Sequence, residues 1–201
     1  MELFEAIRSR RSIGRVKQEP VAKETILELL EAANWAPSHH ATEPWSFIVM
    51  TGEGRGRLGE GYVAVARAEL TGAAGDGAAS LTGEERAELE ARVAKAHAKA
   101  YRAPVVIAVV CKPSKLDKVI RIEELAAAHA ATQNLLLAAH ARGLASIWRS
   151  GEPMYHPLMK QTFELDADDE IVGLIYLGYP ETPLHQGKRG PVADKIVWLE
   201  G

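Results

Sequence analysis

The residues Arg8 to Arg15 read RSRRSIGR, four arginines and two serines in a chain whose formal net charge is -3. Guanidinium groups, a hydroxyl and the backbone amides freed where a helix ends suit a phosphate dianion, because bidentate charge-assisted hydrogen bonds match its oxygens. Arg10, Arg11 and Ser12 are placed for this, just after a helical stretch with Leu3, Phe4 and Ile7 on one face. Lys188 and Arg189 lie far along the chain and could complete the same pocket. Charge alone does not decide the matter, since such clusters are commonly solvated faces.

Other candidate chemistry is weaker. Gly54, Gly56 and Gly59 satisfy G-x-G-x-x-G after a strand and before a helix. A dinucleotide fold would then need a second strand ending in an acidic residue about 20 positions on. That place falls at TGAAGDG, with no strand before it, so the glycines read as a turn. No G-x-x-x-x-G-K-[ST] motif is present. His39 and His40 are adjacent, so they cannot share a helix face, and His129 and His140 are three turns apart. With no H-E-x-x-H or paired-cysteine motif, no metal site is expected. Cys111, the only cysteine, ends an apolar strand and reads as an inert buried thiol; Asp168, Asp169 and Glu170 read as a solvated acidic turn.

The elements that must position these residues follow from periodicity. Ile26, Leu29, Leu30 and Ala33 recur at helical spacing in KETILELLEAANWAP, and Pro37 closes that helix. SFIVM is a strand, residues 57 to 69 are helical, and the Gly-rich stretch at 71–83 reads as a flexible loop before a charged helix. APVVIAVVC is continuously apolar and predicts a strand buried on both faces. EELAAAHAATQNLLLAAHARG is a helix stopped by Gly143, apolar almost all round, which predicts a central or interface helix. ASIWRSG and EIVGLIYLGYP are two further strands, separated by a short helix at 157–163. The tail GKRGPVADKIVWLEG has no obvious partner within one chain and reads as an arm packing on a second subunit. A helix-rich order with about four strands implies one α+β domain over residues 1–201.

Composition bounds the rest. An apolar fraction of 47% and a charged fraction of 25% are ordinary for a globular protein, and the acidic balance argues against nucleic acid. A single cysteine forbids an intramolecular disulfide and fits a reducing cytoplasm. The start, MELFEAIRSR, does not read as a signal peptide, and the longest apolar run is far short of the ~20 residues that span a bilayer. A cytoplasmic protein without membrane contact is expected.

Together, RRS at 10–12, APSHHATEPW at 36–45, AATQNLLLAAHARGL, SIWRSG at 146–151, IVGLIYLGYP and KRGP at 188–191 resemble the FMN-dependent nitroreductase family, in the family's order and over nearly the whole chain. The resemblance is to its small, compact branch. It implies a central, mostly antiparallel sheet flanked by helices in a domain-swapped homodimer, with FMN in two clefts at the subunit interface.

By that resemblance, Arg10, Arg11 and Ser12 would hold the FMN phosphate and ribityl chain, and Arg189 with Lys188 would add charge there. Trp148, Arg149 and Ser150 would line the flavin from the same chain, and Arg15 is the candidate cation for its N1 and C2-carbonyl edge. Trp35 and His39 match positions that reach the flavin from the partner subunit; core packing at a helix end is the other reading of Trp35. NADH or NADPH would reduce the flavin by hydride transfer to N5. A small electron-poor acceptor, a nitroaromatic or quinone, would then take the donor's place in a ping-pong mechanism. Relatives that dehalogenate or desaturate keep the flavin and change the reaction; a flavin carrier or redox sensor, or an anion-binding module without flavin, are the remaining readings. The chain departs from the family at Glu43, where Gln is common, and at Ala41, where Asn is common. A carboxylate beside an anionic reduced flavin is repulsive, so Glu43 is expected to face away or pair with an arginine. The 71–83 segment falls where the family varies most and would select the acceptor.

Overall fold

The computed structural model describes residues 1–71 and 82–201. Its helices are α1 (Leu3–Ser9), α2 (Lys23–Asn34), α3 (Gly56–Thr71), α4 (Gly83–Ala98), α5 (Arg121–Ala141), α6 (Glu152–Tyr155) and α7 (Pro157–Thr162). The strands are β1 (Trp45–Thr51), β2 (Val105–Cys111), β3 (Ala145–Arg149) and β4 (Glu170–Gly178). They form one antiparallel sheet in the order β1-β2-β4-β3. The expected loop at 71–83 lies almost entirely outside the described residues.

Every residue of β2 is buried, as its unbroken apolar run predicts. Alternation divides the core into two layers. Val105, Ile107 and Val109 face α2 and α5, packing with Leu29, Ala131 and Leu135. Val106, Ala108 and Val110 face the other way, with Leu58, Tyr62 and Met159 from α3 and α7. The sheet is thus covered by helices on both faces.

Helix α5 ends as its glycine predicts. Gly143 has φ +74°, its N–H donates to the His140 carbonyl (3.0 Å), and Leu144 N–H donates to the Ala139 carbonyl (2.9 Å). This pair of bonds satisfies carbonyls that the helix leaves orphaned. Of the glycines at 54, 56 and 59, only Gly59 is needed for close helix packing. Strand β1 pairs antiparallel with β2, not through a parallel crossover, and a Cβ at Gly59 would fall 2.6 Å from the His97 ring on α4.

The apolar face of α1 lies open, and two local readings change. Leu3, Phe4 and Ile7 are exposed, and Ala6 is the residue of α1 that is buried. The apolar face of α1 is therefore not covered within one chain. The acidic turn is solvated only at Asp168: Asp169 is buried, accepting from Asp166 N–H (3.1 Å) beside Lys112 Nζ (3.4 Å), and Glu170 pairs with Arg121 (2.8 Å) and Lys160 (3.2 Å). Trp35 is 79% exposed, which rules out core packing. Cys111 is buried, and burial pushes its thiol up to about 11, with Glu124 adding to the effect. Among the described residues no helix is long and apolar enough to cross a membrane.

Candidate functional site

The chain leaves α1 at Arg10, whose backbone turns extended (φ -54°, ψ 133°). The Arg10 guanidinium is held below its usual range by burial, then by Arg11 and Arg189, which places all three cations within one field. Arg189 therefore joins the arginine turn across most of the sequence, and its Nη1 donates to the Lys188 carbonyl (2.9 Å). Arg11 does something different. Its Nη1 donates to the carbonyls of Arg8 (2.7 Å) and Arg10 (2.6 Å), and its guanidinium lies against Gly187, where no Cβ could fit. Arg11 thus pins the turn and holds the C-terminal strap against it. Its Nε is buried without a protein partner.

Below this turn sits His140, on the last turn of α5 and 6% exposed. Ser9 Oγ donates to the Glu5 carbonyl (2.7 Å), so its 2.7 Å contact with His140 Nε2 makes the imidazole N–H the donor. Burial, then Arg10 and Arg11, lower the His140 pKa. His140 is accordingly a neutral prop beneath a cationic turn.

From the turn, the chain runs along the edge of β3. Ser12 bridges Ser146 in parallel, and Ile13 N–H donates to the Ser146 carbonyl (3.0 Å). Gly14 reaches Arg149, whose Nη2 lies 3.2 Å from where a Gly14 Cβ would sit. At strand rise, three residues separate Ser146 from Arg149 by about 10 Å. Arg149 and Ser150 open onto a cavity of about 420 Å³ shared with Tyr62, Lys99, Arg102 and Met154. Alternation along β3 sends neighbouring side chains to opposite faces. Trp148 stacks on His129 of α5 (5.6 Å) and donates from Nε1 to the Val172 carbonyl (3.1 Å). Arg149 lies instead over the Tyr176 ring (5.5 Å), and its buried Nε has no protein partner. Arg15 is exposed; its carbonyl accepts from Glu181 N–H (3.4 Å) and it does not line the cavity.

The remaining candidates lie elsewhere. Trp35 donates to Glu31 (3.1 Å) at the end of α2. His39 Nδ1 meets Glu123 Oε2 at 2.6 Å, and its ring stacks on His40 (4.0 Å). This loop is held hard: His40, Ala41 and Glu43 all have positive φ, and buried Glu124 accepts from Thr42 Oγ1 (2.6 Å) and Ser114 N–H (2.9 Å). Left-handed backbone at three non-glycine residues is strain that such anchoring must offset. Glu43 is exposed, as its charge requires. Glu123 and His140 sit near opposite ends of α5, about 25 Å apart at helical rise. One chain therefore brings Arg10, Ser12, Arg149, Ser150 and Arg189 into one continuous stretch, and keeps Trp35 and His39 away from it.

Sequence reasoning missed His140, Lys99, Arg102, Tyr62 and Glu123. Lys99 and Arg102 stand in AKAYRAP, an unremarkable helix end, and only the fold turns them toward Arg149. The signal at Gly143 marks the end of α5 but is silent on the chemistry of His140.

The chain is similar to known proteins over nearly its whole length. The Nitroreductase family profile matches residues 7–179. A Bacillus subtilis protein provisionally named NAD(P)H nitroreductase YfhC is 31% identical, covering 97% of this chain and 93% of its own. The crystal structure of a nitroreductase-like family protein from Bacillus cereus has a TM-score of 0.79 at 30% identity, covering 100% of this chain and 97% of that one. A Desulfovibrio desulfuricans structure, provisionally named a nitroreductase and solved with FMN, has a TM-score of 0.68 at 26% identity, covering 100% and 98%. With its arginine turn, β3 cavity and helix-covered antiparallel sheet, the chain belongs to the nitroreductase family.

Proposed function

We propose that this chain is one FMN-binding domain over residues 1–201, an oxidoreductase that passes reducing equivalents from NADH or NADPH to nitroaromatic, quinone or similar acceptors by a ping-pong mechanism. The observation that carries the reading is the continuous cationic path from Arg10 and Arg189, past Ser12 and Gly14, to Arg149 and Ser150. The part of it that runs along β3, from Ser146 beside Ser12 to Arg149, covers about 10 Å at strand rise, the scale of a short polyol chain. The buried Nε of Arg149 without a protein partner fits an acceptor atom supplied by a ligand. The names of the relatives support the same cofactors.

In this reading Arg10 and Arg189, with Lys188 beside them, bind the phosphate, and Arg11 keeps the turn and strap in place. Ser12 meets the polyol chain, and Arg149 and Ser150 flank the ring. Trp148, tied to Val172 and stacked on His129, fixes the direction of the strand behind them. FMN, when bound, supplies hydride chemistry at its ring; the protein supplies binding, orientation and electrostatics. Arg149, which lines the cavity together with Lys99 and Arg102, is in this reading the group opposite negative charge on the ring, in place of Arg15.

The site is completed by a second copy. The His39 loop is tied to Glu123, about 25 Å along α5 from His140 beneath the arginine turn, and Trp35 lies exposed at the end of α2, so antiparallel docking of a second chain would supply them to the site. The exposed apolar residues of α1, Trp35, and Val197, Trp198 and Leu199 of the tail are the surfaces that such a homodimer would cover. A cytoplasmic setting, with no nucleic-acid or membrane partner, goes with this reading.

The test is a visible spectrum of the purified protein. Flavin bands, with FMN released on denaturation and NAD(P)H oxidation in the presence of an acceptor, are expected. A colourless protein that also fails to take up added FMN would overturn the proposal. Stoichiometric FMN without NAD(P)H oxidation would make it a carrier.

A further inference from the structure

The cavity beyond Arg149 carries more positive charge than a ring edge requires. Lys99 lies over the Tyr62 ring (5.5 Å) and Arg149 over the Tyr176 ring (5.5 Å), while Arg102 stands at the rim. The cavity lining contains no carboxylate among the described residues. None of the ion pairs among the described residues uses these three cations. The two tyrosines do not supply countercharge. Their hydroxyls bond to each other (3.1 Å), and burial raises both phenols, so they stay neutral at any ordinary pH. Cations are thus held by aromatic faces in a partly enclosed space, where an incoming anion is attracted more strongly than in open water. The arginine turn, beyond the Ser12–Ser146 bridge, has its own cations, Arg10 and Arg189, for a phosphate.

We infer that Lys99 and Arg102, on the wall of the cavity opposite β3, form an anion subsite that selects electron acceptors bearing a carboxylate or sulfonate next to the reducible ring. This rests on the flavin reading above and adds a substrate class to it. The acidic group docks between Lys99 and Arg102, and the ring is left toward Arg149 and Ser150. Neutral acceptors of the same shape lack that anchor.

The experiment compares 4-nitrobenzoate with 4-nitrobenzamide in the holoprotein. The wild type should favour the anion in kcat/KM, and added salt should narrow the preference. Arg102→Gln and Lys99→Gln should each lower the ratio about tenfold, the scale of one charge-assisted hydrogen bond at a partly solvated site. Arg102→Lys should recover part of it. A readout independent of turnover is titration with benzoate, which cannot be reduced, followed by the flavin absorption bands; its Kd should rise about tenfold in Arg102→Gln. Equal kcat/KM for the two nitro compounds in the wild type overturns the inference, as does an unaltered ratio in both variants. A loss of NADPH relative to NADH use, with acceptor preference unchanged, would assign the cations to the donor's phosphate and also overturn it. If the protein proves colourless, the flavin reading fails alone, and calorimetric benzoate titration of wild type against Lys99→Gln still decides the subsite.

Discussion

Arg10 stands where three influences meet: a helix end, a neighbouring arginine and a cation from the far end of the chain. Its burial with two like charges is unfavourable until an anion arrives. Arg10→Ala should therefore weaken FMN binding by roughly tenfold to a hundredfold while leaving the Tm nearly unchanged, as measured by fluorescence titration and calorimetry. Cys111 makes the opposite case. Its thiol, pushed up to about 11 inside β2, should not react with a disulfide reagent at pH 8 until the protein is denatured. Arg10, Arg149 and Ser150 could be named as candidates from the sequence because local motifs carry them. Lys99, Arg102 and His140 were not, because a lone basic residue looks like any of the 24 lysines and arginines or 7 histidines until folding gives it neighbours.

Among the elements, strand β2 and helix α5 were plain in the sequence, since burial on both faces demands unbroken apolar runs. What could not be read was which way β3 turns its side chains, because five residues alternate too briefly to declare a face. The fold settles this through Gly173 on β4, which lies against the Trp148 indole with no room for a Cβ. Gly173→Ala should displace that ring, break its bond to the Val172 carbonyl, and cost about 1–3 kcal/mol in chemical denaturation. Gly143→Ala should cost about 1–2 kcal/mol for a different reason, a left-handed φ at the end of α5. Because that stop also positions His140, the same variant should loosen the base of the arginine turn.

At the level of the whole molecule, His140 ties stability to pH. Its folded pKa lies below the ordinary value of 6.5, so the unfolded chain binds the extra proton first as pH falls. Its contribution is fully present above 6.5 and is lost as pH drops toward the folded pKa. The slope in that window is at most about 1.4 kcal/mol per pH unit. His140→Gln should flatten the dependence of the Tm between pH 6.5 and lower values, and a bound phosphate, by neutralising Arg10, should narrow the window in the wild type. Assembly should appear as a dimer in sedimentation, with Trp35 fluorescence shifting blue as the chains associate. The length of α5 has a genetic consequence. If each chain lends its arginine turn to one site and its His39 loop to the other, faults at the two ends of α5 complement each other. Mixing chains disabled at Arg10 with chains disabled at His39 should yield mixed pairs holding one intact site and one doubly broken site. Random exchange would then restore roughly a quarter of the original sites from two defective parents.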